Sequence, residues 1–305
     1  MCPASAIQGI KCSRNNLDFE NTSINEITFS SDAQIIVWFH GGGMTLGSEI
    51  DVQGYKALSK LSKHWIDHNN LSGVKGTTAP PIVLISVNYR LAPENPFPAA
   101  IIDALSVVKQ VIEGFPSAKI HIGGVSAGGN ISCVTGMEAT RMYPGRVKSV
   151  LVDIPMFDPN LLTSSSKKNS TSAGLCPIDY LRWCWSAYLQ LEKVKNGQKL
   201  NYSNEMAIAE SFKQSVWSSM VNTRAWRMIS PLCDLPSLRS KDAPKFIVST
   251  NSADVLQDDG LALVDSLKTV GANCFHYESK GSHSIHWING EDKHILEEWS
   301  KSFVE

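Results

Sequence analysis

The sequence predicts an α/β fold in which a mostly parallel central sheet is flanked by helices. Short apolar runs rich in β-branched residues alternate along the chain with stretches whose apolar residues recur at helical spacing. This alternation is typical of parallel strands joined by crossover helices. Six strands are predicted, at Ile35–Phe39, Ile82–Val87, Ile120–Ile122, Val147–Ile154, Lys245–Thr250 and Cys274–Glu278.

Two helices between these strands are indicated by apolar residues that share one face. The residues concerned are Ile101, Leu105, Val108 and Ile112 in the first helix and Leu261, Val264, Leu267 and Val270 in the second. The polar stretch from Asn15 to Phe29 predicts an additional edge strand or hairpin.

The segment from about Pro159 to Met228 interrupts the alternation, because it lacks a clear buried strand and opens with a run of serine, threonine and lysine. We predict a helical insertion (159–228) within a single domain that covers residues 1–305. Asp179–Leu189 is predicted to form an aromatic helix. Its rings either cover a pocket or bury the insertion's own face, or do both.

Composition excludes several classes of function. The formal charge is −1 at neutral pH, so no overall field favours nucleic acid. No apolar stretch is long enough for a signal peptide or a membrane span. The seven cysteines are an odd number without a C-x-x-C pair, which favours free thiols and a cytoplasmic protein. An edge strand or an exposed surface of the insertion could support a homodimer.

Gly124-Val125-Ser126-Ala127-Gly128 marks a candidate nucleophile directly after a predicted strand. In a G-x-S-x-G turn between a strand and a helix, the glycines allow a sharp bend that exposes the serine hydroxyl. The motif is weak alone, since such serines are also found in ordinary loops. It is strengthened by His40-Gly41-Gly42-Gly43 after an earlier strand, because a glycine loop can direct backbone N–H groups at an oxyanion.

A serine nucleophile needs a histidine base and a carboxylate that orients it, and both candidates follow later strands. Asp254 lies in the turn after the strand that ends at Thr250. Asp258 and Asp259 are instead expected in the first turn of the next helix. We favour His283 over His286, since His283 is nearer its strand and follows the turn residues Gly281 and Ser282. No group of histidines has metal-ligand spacing, so no metal site is predicted.

With these motifs in order, the chain resembles the hormone-sensitive-lipase family of α/β-hydrolase esterases. The resemblance runs from about Ile35 to Trp287. It rests on four blocks: the glycine loop; Tyr89-Arg90-Leu91-Ala92-Pro93-Glu94 with Phe97-Pro98-Ala99-Ala100 and Asp103; Ser126-Ala127-Gly128-Gly129-Asn130; and Asp254-Val255-Leu256 with His283. From the residues alone, the second block would be a strand end that enters a turn, with its charged pair as a structural ion pair.

The resemblance implies an α/β-hydrolase fold with a helical cap at 159–228 and a role for each motif. Ser126 would be the nucleophile, His283 the general base and acid, and Asp254 the orienting carboxylate. The N–H groups of Gly42, Gly43 and Ala127 would hold the oxyanion, and the Tyr89–Glu94 block would support the glycine loop. The implied activity is hydrolysis of small-molecule esters with short or medium acyl chains, without a cofactor.

Two features depart from the family pattern. Val125 precedes the serine where members commonly carry Asp or Thr, so a hydrogen bond that steadies the turn is expected to be missing. Only 39 residues precede His40, so the N-terminal part of the cap is expected to be short or absent and the pocket more open. Two alternatives remain, an amidase, formamidase or lactonase of the same fold, or a non-catalytic small-molecule receptor. The presence of His283 disfavours the receptor.

Overall fold

A single parallel sheet of seven strands organises the protein, with strand order β1-β3-β2-β4-β5-β6-β7. The computed structural model describes residues 7–13, 33–71, 82–171, 176–189, 228–233, 238 and 242–303. All neighbouring strands pair in parallel. The strands are β1 Ile7–Ser13, β2 Gln34–Phe39, β3 Ile82–Asn88, β4 Lys119–Val125, β5 Val147–Asp153, β6 Lys245–Asn251 and β7 Cys274–Ser279. The prediction of a parallel α/β sheet is confirmed, and each of the six predicted strands is present.

β1 is the strand that sequence analysis missed. It pairs along β3 from Ile7 opposite Ile82 to Ser13 opposite Asn88, at one edge of the sheet. Its alternating Gly, Lys and Ser residues gave no continuous apolar run. The predicted edge strand or hairpin at Asn15–Phe29 lies outside the described residues.

Helices follow most of the strands and cover both faces of the sheet. They are α1 Val52–Leu71, α2 Ala99–Gly114, α3 Ala127–Met142, α4 Ser164–Lys168, α5 Ile178–Tyr188, α6 Gln257–Thr269, α7 Ile285–Asn289 and α8 Asp292–Lys301. The helices predicted from the Ile101 and Leu261 faces are α2 and α6, and the predicted aromatic helix is α5.

Two apolar cores lie on opposite sides of the sheet, because side chains alternate along each strand. In β2, Ile35, Val37 and Phe39 join the core that includes buried residues of α2, α3 and α6. Ile36 and Trp38 join the core that includes residues of α1 and α8. No helix in the described part of the chain is long and apolar enough to span a membrane.

Because the strands are parallel, the carboxyl ends of β2, β4, β5, β6 and β7 all meet at one edge of the sheet. The segment after β5 carries α4 and α5 before the chain returns to β6. This segment includes the described parts of the predicted insertion, 159–171 and 176–189.

Candidate active site

Ser126 occupies a sharp turn between β4 and α3. Its backbone has φ 58° and ψ −117°, and residues other than glycine seldom adopt a positive φ. Its N–H donates to the carbonyl oxygen of Asp153 at 2.8 Å, which holds the turn against the end of β5. A Cβ on Gly128 would overlap the carbonyl oxygen of Phe39, so glycine is required where α3 crosses the end of β2. Such a conformation at a strand-to-helix turn is typical of a nucleophilic serine.

The turns after β6 and β7 bring Asp254 and His283 to this serine. His283 Nε2 lies 3.0 Å from Ser126 Oγ, and His283 Nδ1 lies 2.7 Å from Asp254 Oδ2. All three residues are buried, and the other oxygen of Asp254 accepts the N–H of Leu256 at 3.0 Å. Since the carboxylate accepts the proton on Nδ1, the lone pair of Nε2 faces the serine hydroxyl. The geometry allows proton transfer from the serine to the histidine.

The glycine loop after β2 is fixed through its carbonyl groups. His40 Nδ1 donates to Gly41 O at 2.7 Å, and Gly42 O accepts the N–H groups of Thr45 and Leu46. The N–H of a trans peptide points away from its carbonyl, so these bonds also fix the directions of the Gly42 and Gly43 N–H groups. No loop hydrogen bond among the described residues uses either N–H as a donor. Burial lowers the pKa of His40, so its ring is a neutral support for the loop.

The Tyr89–Glu94 block packs behind the glycine loop. The Tyr89 hydroxyl donates to His40 O at 2.8 Å, and the two rings stack with centroids 4.2 Å apart. Ala92 N–H donates to Met44 O at 2.9 Å. Arg90 forms a bidentate ion pair with Asp103 of α2, and this pair anchors the turn to the body of the domain. These contacts support the scaffolding role that the resemblance implied.

Known proteins similar to this chain are α/β hydrolases. A family model for the α/β-hydrolase fold matches residues 74–204. Arylacetamide deacetylase from rabbit (Oryctolagus cuniculus) is 24% identical, over 89% of this chain and 76% of the deacetylase. Over these matched residues the chain is similar to α/β hydrolases.

Two further proteins that are similar to this chain carry esterase names. Carboxylesterase NlhH from Mycobacterium tuberculosis is 36% identical over 33% of this chain and 28% of NlhH. The solved esterase from the archaeon Pyrobaculum calidifontis has a TM-score of 0.63 at 23% identity, covering 88% of this chain and 74% of the esterase chain. At that identity the structural likeness shows the fold, and the α/β-hydrolase fold is confirmed.

A cleft of about 290 Å³ opens over Ser126. Its wall includes the glycine loop, Ser126, His283, Ile50, Asp51 and Tyr180. Tyr180 comes from α5, and its hydroxyl donates to Gly42 O at 3.1 Å. Trp185 and Tyr188 of the same helix are buried in the core. The aromatic helix α5 therefore has both of the roles considered from its sequence. The Tyr180 ring lines the cleft, and the rings of Trp185 and Tyr188 pack in the core.

The remaining sequence candidates lie away from the serine. Asp258 and Asp259 are in the first turn of α6, as predicted. Asp258 Oδ2 accepts the N–H of Ser165 at 2.7 Å, and Asp259 Oδ2 accepts the N–H groups of Phe157 and Asp158.

The alternative histidine, His286, is fully buried, and its Nε2 lies 3.0 Å from Asp153 Oδ1. No cluster of three or more His, Cys, Asp or Glu among the described residues could hold a metal ion.

Sequence analysis missed the buried polar cluster around Asp153. Burial opposes ionisation of Asp153, but His286, Ser249 and Trp287 together lower its pKa below the ordinary value. Burial likewise opposes protonation of His286, and Asp153 raises the pKa of that ring above its ordinary value. A carboxyl residue directly after the apolar run Val150–Val152 was the signal available in the sequence.

Proposed function

We propose that this chain is a serine carboxylesterase that hydrolyses esters with short or medium acyl chains through an acyl-enzyme. The supporting observation is the pair of contacts at His283, 3.0 Å to Ser126 Oγ and 2.7 Å to Asp254 Oδ2. Nucleophile, base and orienting carboxylate in this arrangement form the constellation that acyl transfer requires.

The reaction proceeds in two halves. Ser126 Oγ attacks the ester carbonyl as its proton passes to His283 Nε2, and Asp254 stabilises the imidazolium that forms. The N–H groups of Gly42, Gly43 and Ala127 hold the oxyanion, each contributing on the order of 3 kcal/mol in the transition state. His283 then protonates the departing alcohol. Water, activated by His283, cleaves the acyl-enzyme and releases the carboxylic acid.

The cleft supports small substrates. Its volume of about 290 Å³ lies just below the roughly 300–1,000 Å³ typical of ligand sites. No Lys or Arg is among its described wall residues, and Asp51 is its acidic member. A neutral ester with a short acyl chain therefore suits the cleft better than an anionic one.

Replacing the proposed nucleophile tests the function directly. Ser126→Ala removes the atom that becomes acylated, so we expect kcat for p-nitrophenyl butyrate to fall by about 10⁶-fold. Ser48→Ala is the matched control, since Ser48 lines the same cleft and its hydroxyl accepts the N–H of Ile50. A fluorophosphonate probe should label the wild type and the control but not Ser126→Ala. Near-normal turnover by Ser126→Ala would refute the proposal, and an unlabelled wild type would indicate a receptor.

Amide hydrolysis is a second candidate, favoured by the name of the rabbit arylacetamide deacetylase. The same triad serves ester and amide acyl transfer, but an amine is the poorer leaving group and needs a proton from the histidine earlier. Matched pairs of phenyl acetate with acetanilide, and phenyl butyrate with butyranilide, separate the two activities. We expect the esters to have the higher kcat/KM, and a preference for the anilides would assign the chain to amidases.

A further inference from the structure

Asp153 is bonded to the Ser126 turn through its backbone. It is the last residue of β5 and pairs with Val125, the residue before the serine. Its carbonyl oxygen accepts the Ser126 N–H at 2.8 Å. The Val125 side chain cannot donate or accept a hydrogen bond, and it packs in the apolar core that contains Trp287. The backbone of Asp153 is therefore a polar anchor of the nucleophile turn.

The Asp153 carboxylate binds the helix that follows His283. Trp287 Nε1 donates to Asp153 Oδ2 at 2.6 Å, and His286 Nε2 lies 3.0 Å from Oδ1. Both partners belong to α7, which begins two residues after His283. Asp153 and His286 have no solvent exposure, so these bonds lie in a low-dielectric setting where they are strong and specific in direction.

A second set of bonds holds the turn that carries His283. Asn251 Nδ2 donates to Ser282 O at 2.8 Å and also lies 3.1 Å from His286 Nδ1. Ala253 N–H donates to Gly281 O at 2.9 Å. The turn is thus fixed before His283 by the end of β6 and the loop that follows it, and fixed after His283 by Asp153.

We propose that Asp153, acting through Trp287 and His286, is a positioning residue that sets the distance between His283 and Ser126. The inference rests on the proposed esterase function for its catalytic consequence. One residue contacts the nucleophile turn with its backbone and the base-bearing segment with its side chain, so it couples the two groups across the edge of the sheet. Small displacements between reacting groups lower rates steeply, and about 1 Å can cost roughly 100-fold.

Trp287→Phe is the test variant because it keeps an aromatic ring and removes the N–H donor. Trp299→Phe is the matched control, since Trp299 is also buried in the same core and donates to Ser149 Oγ at 2.7 Å, away from Asp153. Both variants lose one buried hydrogen bond. Only the first affects the proposed link.

We expect Trp287→Phe to lower kcat for p-nitrophenyl butyrate by roughly 10- to 100-fold while KM changes little. Trp299→Phe should keep kcat close to wild type at a comparable loss of melting temperature. Asp153→Asn should resemble Trp287→Phe. If Trp287→Phe loses no more kcat than Trp299→Phe, or raises KM in proportion, the positioning role is wrong.

A readout without turnover keeps this result separate from the esterase proposal. The proton shared by His283 Nδ1 and Asp254 should give a downfield proton NMR signal, identified by its absence in His283→Gln. We expect this signal to shift or broaden in Trp287→Phe and to stay in place in Trp299→Phe. An unchanged signal in both variants would refute the positioning role even if the wild type proved inactive on esters. A shifted signal with an inactive wild type would refute only the esterase function.

Discussion

At the scale of single residues, three carboxylates that follow β6 lie in three different surroundings, one in the turn and two in the first turn of α6. Asp254 is 1% exposed and contacts His283, whereas Asp258 binds the start of α4 and Asp259 binds the segment just before the insertion. Charge and sequence proximity alone do not distinguish them. Their hydrogen-bond partners do, and these partners come from elements distant in sequence.

Replacing Asp254 and Asp258 separately tests the assignment of the orienting carboxylate. Asp254→Asn places an amide against His283 Nδ1 and favours the wrong tautomer, so we expect kcat to fall by about 10⁴-fold. Asp258→Asn keeps an oxygen for the Ser165 N–H and does not contact His283, so activity should stay close to wild type. The measurement is kcat for p-nitrophenyl butyrate in both variants. Equal losses would contradict the role of Asp254.

At the scale of elements, the sequence pattern predicts where the strands lie. It does not predict which residues bind the side chains at the strand ends. The predicted strands that correspond to β2, β3 and β6 are largely apolar, because central parallel strands are buried on both faces. β1 escaped prediction because its polar and glycine residues hide the pattern at the edge of the sheet. The positions of Ser126, Asp254 and His283 after strands could be inferred, since parallel strands end at one edge. The Asp153 cluster could not, because it depends on which strands are neighbours.

Helix α5 contributes a bond to the glycine loop that the sequence did not indicate. The Tyr180 hydroxyl donates to Gly42 O, and Thr45 Oγ1 also contacts both groups. Because Gly42 O and Gly43 N–H belong to one peptide, this bond helps to direct a proposed oxyanion donor. The insertion thus supports the glycine loop as well as forming part of the cleft wall.

Tyr180→Phe tests this support from α5. The loss of one neutral hydrogen bond is worth about 0.5–1.5 kcal/mol, so we expect kcat for p-nitrophenyl butyrate to fall by roughly 2- to 13-fold. Tyr188→Phe is the control on the same helix, because the Tyr188 hydroxyl is buried without a hydrogen-bond partner among the described residues. The control should keep its kcat and its stability. If Tyr180→Phe retained the wild-type kcat, the glycine loop would not depend on α5.

At the scale of the whole molecule, Asp259 links the stability of the fold to pH. Its carboxylate is buried where the chain leaves β5 for the insertion, and it accepts the N–H groups of Phe157 and Asp158. Burial raises its pKa from the ordinary 3.8 to about 7, although the two N–H donors oppose the shift. The folded chain therefore keeps this proton in a pH range where the unfolded chain has released it.

Asp259→Asn should remove this dependence, because an amide cannot ionise yet keeps an oxygen for the two N–H groups. Between pH 3.8 and about 7 the folded wild type binds more protons than the unfolded chain. The Asp259 contribution to its free energy of unfolding therefore falls as pH rises, by up to roughly 1.4 kcal/mol per pH unit. We expect the free energy of unfolding in urea, variant minus wild type, to rise across this range and to level off above it. Groups such as His121, whose pKa burial lowers, contribute equally to both proteins and cancel in the difference. A difference that stays constant with pH would show that Asp259 ionises normally in the folded chain.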